Sequence, residues 1–331
     1  MHFHGADILS IDPLERSDLA TIFEVAAMME VYAERQKITR VLEGAVLGNL
    51  FFEPSTRSRV SFETAFYRLG GSVTNILDKT ATSIVKGESL EDTIRVMGGY
   101  ADVLVIRHPE EGALQECAEA TTCPIISAGD GAGEHPTQAL LDLYTIMKET
   151  TRSLDDINGL SIAIIGDLKH GRTVHSLVKL LLLFHNIHFS FISPKELSLP
   201  SDLLEGIASH GHSVREGTDL IHGIRGVDVI YMTRIQEERF LSPSEGERHR
   251  GSYSLTKDLY ELACGPYARV PILHPLPRDS RPGALEIAHD LNNHPALAIF
   301  RQARNGIPLR MALFALILKV TDKIKKENFL Q

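Results

Sequence analysis

Residues 161–176 read SIAIIGDLKHGRTVHS, and this stretch decides the fold class. Its apolar, β-branched first part is typical of a short buried strand that ends at a glycine, and a helical pattern begins after a polar loop. The same alternation recurs along the chain and is typical of α/β folds with mainly parallel sheets. We therefore predict strands at residues 45–52, 103–106, 125–127, 161–166, 187–192, 227–232 and 270–273.

Helical patterns separate these strands, and one polar stretch interrupts them. Residues 149–159, ETTRSLDDING, follow a long helical pattern and mark a domain boundary. We expect two similar-sized domains, each an open, mainly parallel sheet flanked by helices, with the active-site cleft between them. The first takes residues 1–149 and the C-terminal helix at about 305–331, and the second takes residues 150–304. Helices are predicted at residues 18–35, 58–69, 90–100, 114–120, 136–148, 173–184 and 309–325.

Composition excludes several classes of protein. The 331 residues carry a net charge of −9, whereas a protein that binds nucleic acid usually has a basic excess. The longest apolar runs, residues 177–184 and 311–320, are too short to span a bilayer. The three cysteines form no CxxC pair, which excludes a disulfide framework and a zinc finger. Because no signal-peptide pattern is visible either, we expect a cytoplasmic protein with neither nucleic acid nor membrane as partner.

A candidate phosphate site lies in residues 51–62, FFEPSTRSRVSF. A strand ends before Glu53, and an amphipathic helix is opened by Ser55, Thr56, Arg57 and Ser58. Hydroxyl groups, an arginine and backbone amides at a helix N-terminus favour an anion. The same residues also fit an ordinary Ser/Thr helix cap. Arg59 points to another face of the helix, and we interpret it as structural.

Two further candidates lie in the first half of the chain. Arg107 directly follows a predicted strand, at the edge where parallel sheets bind ligands. His135 ends the glycine-rich run GDGAGEH and is suited to donate to a developing oxyanion, and Gln138 lies near the same face of the helix start. A strand-end arginine in solvent remains an alternative. The glycine-rich run is weak evidence for a dinucleotide because it lacks GxGxxG.

The second half places cations after strands in the same way. Arg172 lies at a helix start, where a guanidinium can hold a carboxylate through two hydrogen bonds. Arg234 and Gln236 share a face if their segment is extended. A charged loop in water is the alternative for residues 233–239. We interpret His170 and His175 as satisfied or exposed side chains rather than metal ligands.

Two loops complete the candidate site. Residues 82–92, TSIVKGESLED, read as a solvated loop that carries Lys86. Two prolines stiffen residues 274–278, HPLPR, and expose the carbonyls of Pro275 and Leu276, although a plain turn fits equally well. Taken together, the segments predict a cleft lined with positive charge in an acidic protein.

These motifs resemble the aspartate/ornithine carbamoyltransferase family. The STRSR and HPTQ segments, at residues 55–59 and 135–138, resemble its carbamoyl-phosphate signature. The segments TSIVKGE, GDLKHGRTVHSL, YMTRIQEER and LHPLPR resemble the aspartate branch of the family. An ornithine-specific member would show a cysteine-containing HCLP at residues 274–277. The resemblance runs from about residue 18 through nearly the whole chain.

The resemblance implies a role for each matching residue. The phosphate of carbamoyl phosphate would be held by Ser55, Thr56, Arg57, Ser58 and Arg107. The carbamoyl oxygen would face Thr56, Arg107 and His135, and the carbamoyl amide would face Gln138 and the carbonyl of Pro275. The aspartate carboxylates would be bound by Lys86, Arg172, Arg234 and Gln236, and the amine would be steered by the carbonyls of Leu276 and Pro277. An interdomain latch would join Glu53 to Arg172 and Arg239.

The implied reaction converts carbamoyl phosphate and L-aspartate into N-carbamoyl-L-aspartate and phosphate, the committed step of de novo pyrimidine biosynthesis. It requires no metal, no cofactor and no covalent nucleophile. The resemblance also implies a homotrimer with shared active sites, in which the neighbouring chain lends Ser83 and Lys86 and Glu88 pairs with the neighbour's Arg57. Whether regulatory chains join such trimers stays open at this point.

Three alternatives are weighed against this hypothesis. An ornithine-type member would need an acceptor for an ammonium group. A doubly wound dehydrogenase would rest on residues 161–171, which lack GxGxxG and the acidic residue that follows it. A catalytically silent homologue that binds carbamoyl phosphate would have lost Arg57, Lys86 or His135, and all three are present.

Overall fold

The computed structural model describes residues 1–76, 83–240 and 242–329. The chain divides into two compact units, of which unit 1 comprises Met1–Leu140 with Arg304–Gln331 and unit 2 comprises Leu141–Ala303. The boundary predicted after residue 149 lies further along the same helix, Pro136–Thr150, and remains a prediction.

Unit 1 is built on a parallel four-stranded sheet. Its strands run in the order β2-β1-β3-β4, with β1 at Val46–Phe51, β2 at Ser72–Ile76, β3 at Val103–His108 and β4 at Ile125–Asp130. Apart from Val46 at the start of β1, the apolar side chains of β1, β3 and β4 are buried, as their β-branched pattern predicts. The helices of this part of the chain are α1 (Arg16–Ala33), α2 (Thr56–Arg68), α3 (Leu90–Gly98), α4 (Ala113–Ala120) and α5 (Pro136–Thr150).

Unit 2 contains a parallel five-stranded sheet in the order β7-β6-β5-β8-β9. Its strands are β5 (Ser161–Ile165), β6 (His188–Ile192), β7 (Ser213–Gly217), β8 (Val229–Met232) and β9 (Ile272–Leu273). The helices that follow α5 are α6 (Arg172–Leu181), α7 (Ser201–Ser209), α8 (Leu220–Ile224), α9 (Pro243–His249), α10 (Lys257–Cys264) and α11 (Ile299–Ile317). The predicted α/β class, with two parallel sheets flanked by helices, is confirmed.

The prediction of one C-terminal helix over residues 309–325 is wrong. The structure has two helices here, α11 and α12 (Thr321–Phe329), with Lys319 between them in the left-handed region at φ +55°. The carbonyl of Ile317, at the end of α11, accepts a hydrogen bond of 3.0 Å from the amide of Gly5, so the N-terminal segment occupies the end of the helix. Pro308 lies inside α11, whereas the sequence suggested that it precedes the helix.

In the described part of the chain, no helix combines the length and the apolar character that crossing a membrane requires.

Candidate active site

The carboxyl edge of the unit 1 sheet holds most of the residues predicted to bind phosphate. β1 and β3 are neighbours, and their register pairs Phe51 with Arg107. The amide of Phe52 donates to the carbonyl of Arg107 at 2.9 Å. This pairing brings the guanidinium-bearing end of β3 beside the segment that leads from β1 into α2. Arg107 and the start of α2 therefore belong to one edge of one sheet, where ligands of parallel sheets bind.

The N-terminus of α2 is suited to an anion. Ser55 is the N-cap and has extended backbone angles, and within the described residues its side chain accepts no capping hydrogen bond. The side chains of Thr56 and Arg57 are exposed. Backbone amides at such a terminus attract negative charge. Arg59 pairs with Glu63 one turn along α2, at 3.3 Å, and its interpretation as a structural residue stays a prediction.

Arg107 is held in place by two neighbours of different kinds. Its Nη2 lies 2.9 Å from Oε2 of Glu53, and its Nη1 donates to the carbonyl of Ala128 at 3.2 Å. The Arg107 side chain is 11% exposed. Two fixed partners remove rotamer freedom from the guanidinium before any ligand arrives. The latch between Glu53 and Arg239 stays a prediction.

The loop between β4 and α5 positions His135. Gly131 has a φ of +49°, and a Cβ there would lie 2.4 Å from the amide nitrogen of Glu111, so this turn requires glycine. The Glu134 carboxylate accepts a hydrogen bond of 2.9 Å from the amide of Ile11. α5 then begins at Pro136, as the sequence predicts. His135 and Gln138 are both buried beside this helix start.

Lys86 lies on a separate segment of unit 1. Residues Ser83–Lys86 form one turn of 3₁₀ helix, and the side chains of Ser83, Val85 and Lys86 are exposed. Glu88 accepts a hydrogen bond of 2.8 Å from the Thr93 hydroxyl group of α3. Thr82, the first residue of the predicted Lys86 loop, lies outside the described residues.

In unit 2, a buried aspartate that the sequence did not single out joins two loops. Asp167 follows β5, and its side chain is fully buried. Its Oδ1 accepts from the amide of His170 at 3.0 Å, and its Oδ2 accepts from the amide of Gln236 at 3.2 Å. The loop before α6 and the loop after β8 are thus tied to one carboxylate. An aspartate next to the glycine that ends the strand was the available signal.

The approach of these two loops depends on glycine. Gly166 has a φ of +120°, and a Cβ there would lie 2.3 Å from the carbonyl oxygen of Thr233. The Asp167 amide also donates to the Thr233 hydroxyl group at 3.2 Å. A side chain at position 166 would separate the ends of β5 and β8, which the site requires to be adjacent.

The three residues predicted to bind the aspartate carboxylates from unit 2 follow adjacent strands. Arg172 is the first residue of α6 and is 7% exposed, while Arg234 and Gln236 are half-buried after β8. The Gln236 side-chain amide donates to the carbonyl of His170 at 2.9 Å. Arg239 ends a 3₁₀ turn, Glu237–Arg239, that follows directly.

Two histidines near these cations are satisfied, as the sequence interpretation expects. The ring of His170 lies 3.2 Å from the Asp167 carboxylate. The ring of His175 lies 2.9 Å from the carbonyl of Leu168. Burial lowers the pKa of His175, so its ring is neutral near pH 7.

The loop after β9 is organised by a buried histidine. His274 Nε2 lies 2.6 Å from Oε1 of Glu286, and its Nδ1 accepts from the amide of Leu276 at 2.7 Å. Burial lowers the pKa of His274, which favours the neutral ring, and its Nδ1 is the acceptor for the amide of Leu276. The ring thereby fixes Leu276, whose φ is +60° and whose peptide bond to Pro277 is cis.

Among residues 1–76, 83–240 and 242–329, no group of three or more His, Cys, Asp and Glu side chains is arranged to hold a metal ion.

Two family models match the chain almost end to end. Residues 6–148 match the carbamoyl-P binding domain of the aspartate/ornithine carbamoyltransferases. Residues 158–317 match the Asp/Orn binding domain of the same family. The junction between the two matched segments lies in the polar stretch at residues 149–159.

Proteins named aspartate carbamoyltransferase or aspartate transcarbamoylase are similar to this chain over nearly its whole length. The catalytic subunit of aspartate carbamoyltransferase from Saccharophagus degradans is 55% identical, and the match covers 98% of this chain and 96% of that protein. A crystal structure of aspartate transcarbamoylase from Trypanosoma cruzi in complex with carbamoyl phosphate and aspartate is 38% identical, with a TM-score of 0.87 and coverage of 96% and 98%. The catalytic subunit from M. jannaschii is 43% identical, with a TM-score of 0.83 and coverage of 98% and 99%.

Proposed function

The chain belongs to the aspartate/ornithine carbamoyltransferase family, and we propose that it transfers the carbamoyl group of carbamoyl phosphate to the amine of L-aspartate. The products are N-carbamoyl-L-aspartate and phosphate. The observation that carries this proposal is the match of both halves of the chain, with 55% identity to a catalytic subunit that bears this activity in its name. The reaction is the committed step of de novo pyrimidine biosynthesis, and we assign it to the cytoplasm.

The edge of the unit 1 sheet supports the carbamoyl-phosphate half of the reaction. We assign the phosphate group to residues at the start of α2 and to the guanidinium of Arg107. The α2 residues are Ser55, Thr56, Arg57 and Ser58. The carbamoyl oxygen faces Thr56, Arg107 and His135, and the carbamoyl amide faces Gln138 and the carbonyl of Pro275. An exposed helix N-terminus and a preoriented arginine support these roles.

The loops of unit 2 support the amino-acid half. The two carboxylates of aspartate bind Arg172, Arg234 and Gln236, together with Lys86, and the amine lies near the carbonyls of Leu276 and Pro277. Asp167 keeps the loop that leads to Arg172 close to Gln236, which supports a common ligand for the two segments.

The chemistry is an addition and elimination at the carbamoyl carbon. The aspartate amine forms the new C–N bond, and the C–O bond to phosphate breaks with its electron pair leaving on phosphate. The proton lost by the amine is taken up by the departing phosphate. With the amine of aspartate deprotonated for attack, the two substrates together carry about four negative charges at neutral pH. Several cations are needed to bring them together, and each donor to the developing oxyanion is worth roughly 3–4 kcal/mol. Catalysis then consists of positioning and oxyanion stabilisation.

The direct test is formation of N-carbamoyl-aspartate by the purified protein, with ornithine as the competing amine. Two arginines suit a second carboxylate, whereas ornithine brings an ammonium group to the same place. We expect turnover of aspartate and little turnover of ornithine. Comparable turnover of the two amines would reject aspartate specificity, and turnover of neither would favour a silent carbamoyl-phosphate-binding protein.

We further propose a homotrimer in which Lys86 serves the site of the neighbouring chain. Its exposed 3₁₀ turn in unit 1 supports this arrangement. Arg57→Ala and Lys86→Gln proteins should each be nearly inactive, and a mixture that is dissociated and reassembled should recover activity. Random assembly restores about a quarter of the sites. Mixed trimers, verified by sedimentation, that recover nothing would reject shared sites.

A further inference from the structure

A cluster of four charged side chains lies directly after the residues assigned to aspartate binding. Glu237 follows Gln236, and its carboxylate accepts hydrogen bonds from two arginines. Arg250 donates to it through Nε and Nη2, both at 2.8 Å. Arg281 donates through Nη1 at 3.1 Å and through Nη2 at 2.8 Å. One carboxylate therefore holds two guanidinium groups, each through a pair of hydrogen bonds.

Arg281 also donates hydrogen bonds to a second carboxylate. Its Nε lies 3.0 Å and 3.1 Å from the two oxygens of Asp279, and its Nη2 contacts the same group. The side chains of Glu237 and Asp279 are only 18% and 10% exposed, so neither carboxylate is fully solvated. Two guanidinium groups and two carboxylates are thus joined by hydrogen bonds, and Arg250 also lies 3.7 Å from Glu247. Within this cluster, Arg281 is the member that touches both carboxylates.

The second carboxylate leads to the loop after β9. The backbone amide of Asp279 donates to the Glu286 carboxylate at 3.1 Å and 3.2 Å. Glu286 in turn lies 2.6 Å from the ring of His274, whose Nδ1 accepts a hydrogen bond from the amide of Leu276. A continuous series of contacts therefore runs from Glu237, beside Gln236, to the backbone of Leu276.

Strand pairing explains why such a connection matters. β8 and β9 are neighbours in the sheet, with Tyr231 opposite Leu273, so the loops that follow them emerge side by side. The first loop carries Arg234 and Gln236, and the second carries the carbonyls assigned to the amine. Asp167 ties the first of these loops to the loop before α6, but Arg281 ties it to the loop after β9.

We infer that Arg281 is a positioning residue for the binding of aspartate. Through its hydrogen bonds to Glu237 and Asp279, Arg281 fixes the loop of Arg234 and Gln236 against the loop of Leu276. The inference rests on the proposed function, since it names the substrate on which the positioning acts. Arg281 contacts Glu237 and Asp279, and neither of these residues is assigned to carbamoyl phosphate. Its loss should therefore act mainly on aspartate, because Arg281 contacts Glu237, next to the aspartate ligand Gln236.

The test compares Arg281→Gln with a matched control, Arg301→Gln. Arg301 is similarly exposed, 41% against 49%, and holds Glu149 through two hydrogen bonds of 2.6 Å and 2.7 Å, away from the assigned residues. We expect Arg281→Gln to raise KM for aspartate about tenfold and to leave KM for carbamoyl phosphate within about twofold. The control should leave both constants unchanged. Arg281→Lys, which keeps the charge but loses the paired hydrogen bonds, should lie between wild type and Arg281→Gln.

A double-mutant cycle separates positioning from general loss of stability. Because Glu237→Gln breaks the same link, the double variant should have no higher KM for aspartate than the more affected single variant. Additive effects, or equal increases in both KM values, would overturn the inference. So would an Arg281→Gln enzyme that matches the control.

Amide hydrogen exchange gives a readout that does not depend on activity. Exchange in the segment from Arg234 to Arg239 should accelerate in Arg281→Gln and not in Arg301→Gln. A wild type that makes no N-carbamoyl-aspartate would reject the proposed function, whereas unchanged exchange in Arg281→Gln would reject the link between the loops.

Discussion

Replacing Asp167 by asparagine should separate the two loops that it joins. Its two oxygens face different backbone donors, the amide of His170 at 3.0 Å and the amide of Gln236 at 3.2 Å. Asparagine has the same shape but offers only one oxygen, so its NH₂ group faces an N–H in either orientation. One buried N–H then lacks an acceptor at a cost of about 1–3 kcal/mol, and the remaining bonds lose the charge of the acceptor.

The expected loss of stability is therefore about 3 kcal/mol. In a unit of 150–250 residues this lowers the unfolding temperature by roughly 6–12 °C, measured by calorimetry. Asp219→Asn is the matched control, since Asp219 makes the same contacts to His222, three residues on, but its side chain is 59% exposed. The control should shift the unfolding temperature far less. KM for aspartate should rise in Asp167→Asn while KM for carbamoyl phosphate stays unchanged. An Asp167→Asn protein as stable as Asp219→Asn would refute the reasoning.

Three further predictions concern other parts of the chain. Glu53→Ala removes both the partner of Arg107 and the predicted latch, and we expect a lower kcat with unchanged affinity for carbamoyl phosphate. A weaker affinity for carbamoyl phosphate would instead show that Glu53 acts by orienting Arg107. Arg250 and Arg281 lower the pKa of Glu237 from 4.5 to about 2, so its contribution to stability is complete above about pH 4.5 and is lost as the pH falls towards 2. Acid titration of Glu237→Gln should show a shallower loss of unfolding free energy in that window, and equal slopes would contradict the pairing. Burial raises the pKa of the Cys117 thiol to about 12, so a thiol reagent at pH 8 should label Cys117 only after unfolding, and rapid labelling of the native protein would contradict this burial.

The sequence predicts the buried strands well because their side chains are uniformly apolar. β1, β3, β5 and β8 differ from their predicted ranges by only a few residues. It misses β2 and β7, which lie at the edges of the two sheets. The side chains of β7 are all exposed, and those of β2 are exposed or half-buried, so neither strand has the apolar run on which the prediction depends.

In the candidate site, too, some residues could be predicted from the sequence pattern and others could not. Arg107 and Arg172 could be chosen because each stands at the boundary of a strand or helix, where the sequence pattern changes. The hydrogen bonds of Arg281 to Glu237 join residues that are 44 positions apart. Both residues lie in loops, whose sequences have no periodic hydrophobic pattern. Its geometry depends on how the loops after β8 and β9 lie in space, which hydrophobic spacing does not encode.

The exposed edge strand β7 makes the behaviour of this protein at high concentration depend on charge. Its sequence is SVREG, and its outer edge pairs with no strand of the described residues, so backbone groups there can bond to another extended segment. Arg215 and Glu216 place opposite charges at the centre of this edge, and Arg215 also donates to the carbonyl of Gly223 at 3.0 Å. Charged residues at a sheet edge discourage strand-to-strand aggregation between copies. Replacing Arg215 and Glu216 by valine would make this edge β-branched and neutral. The protein would then be prone to form fibrous aggregates while its interior packing stayed intact.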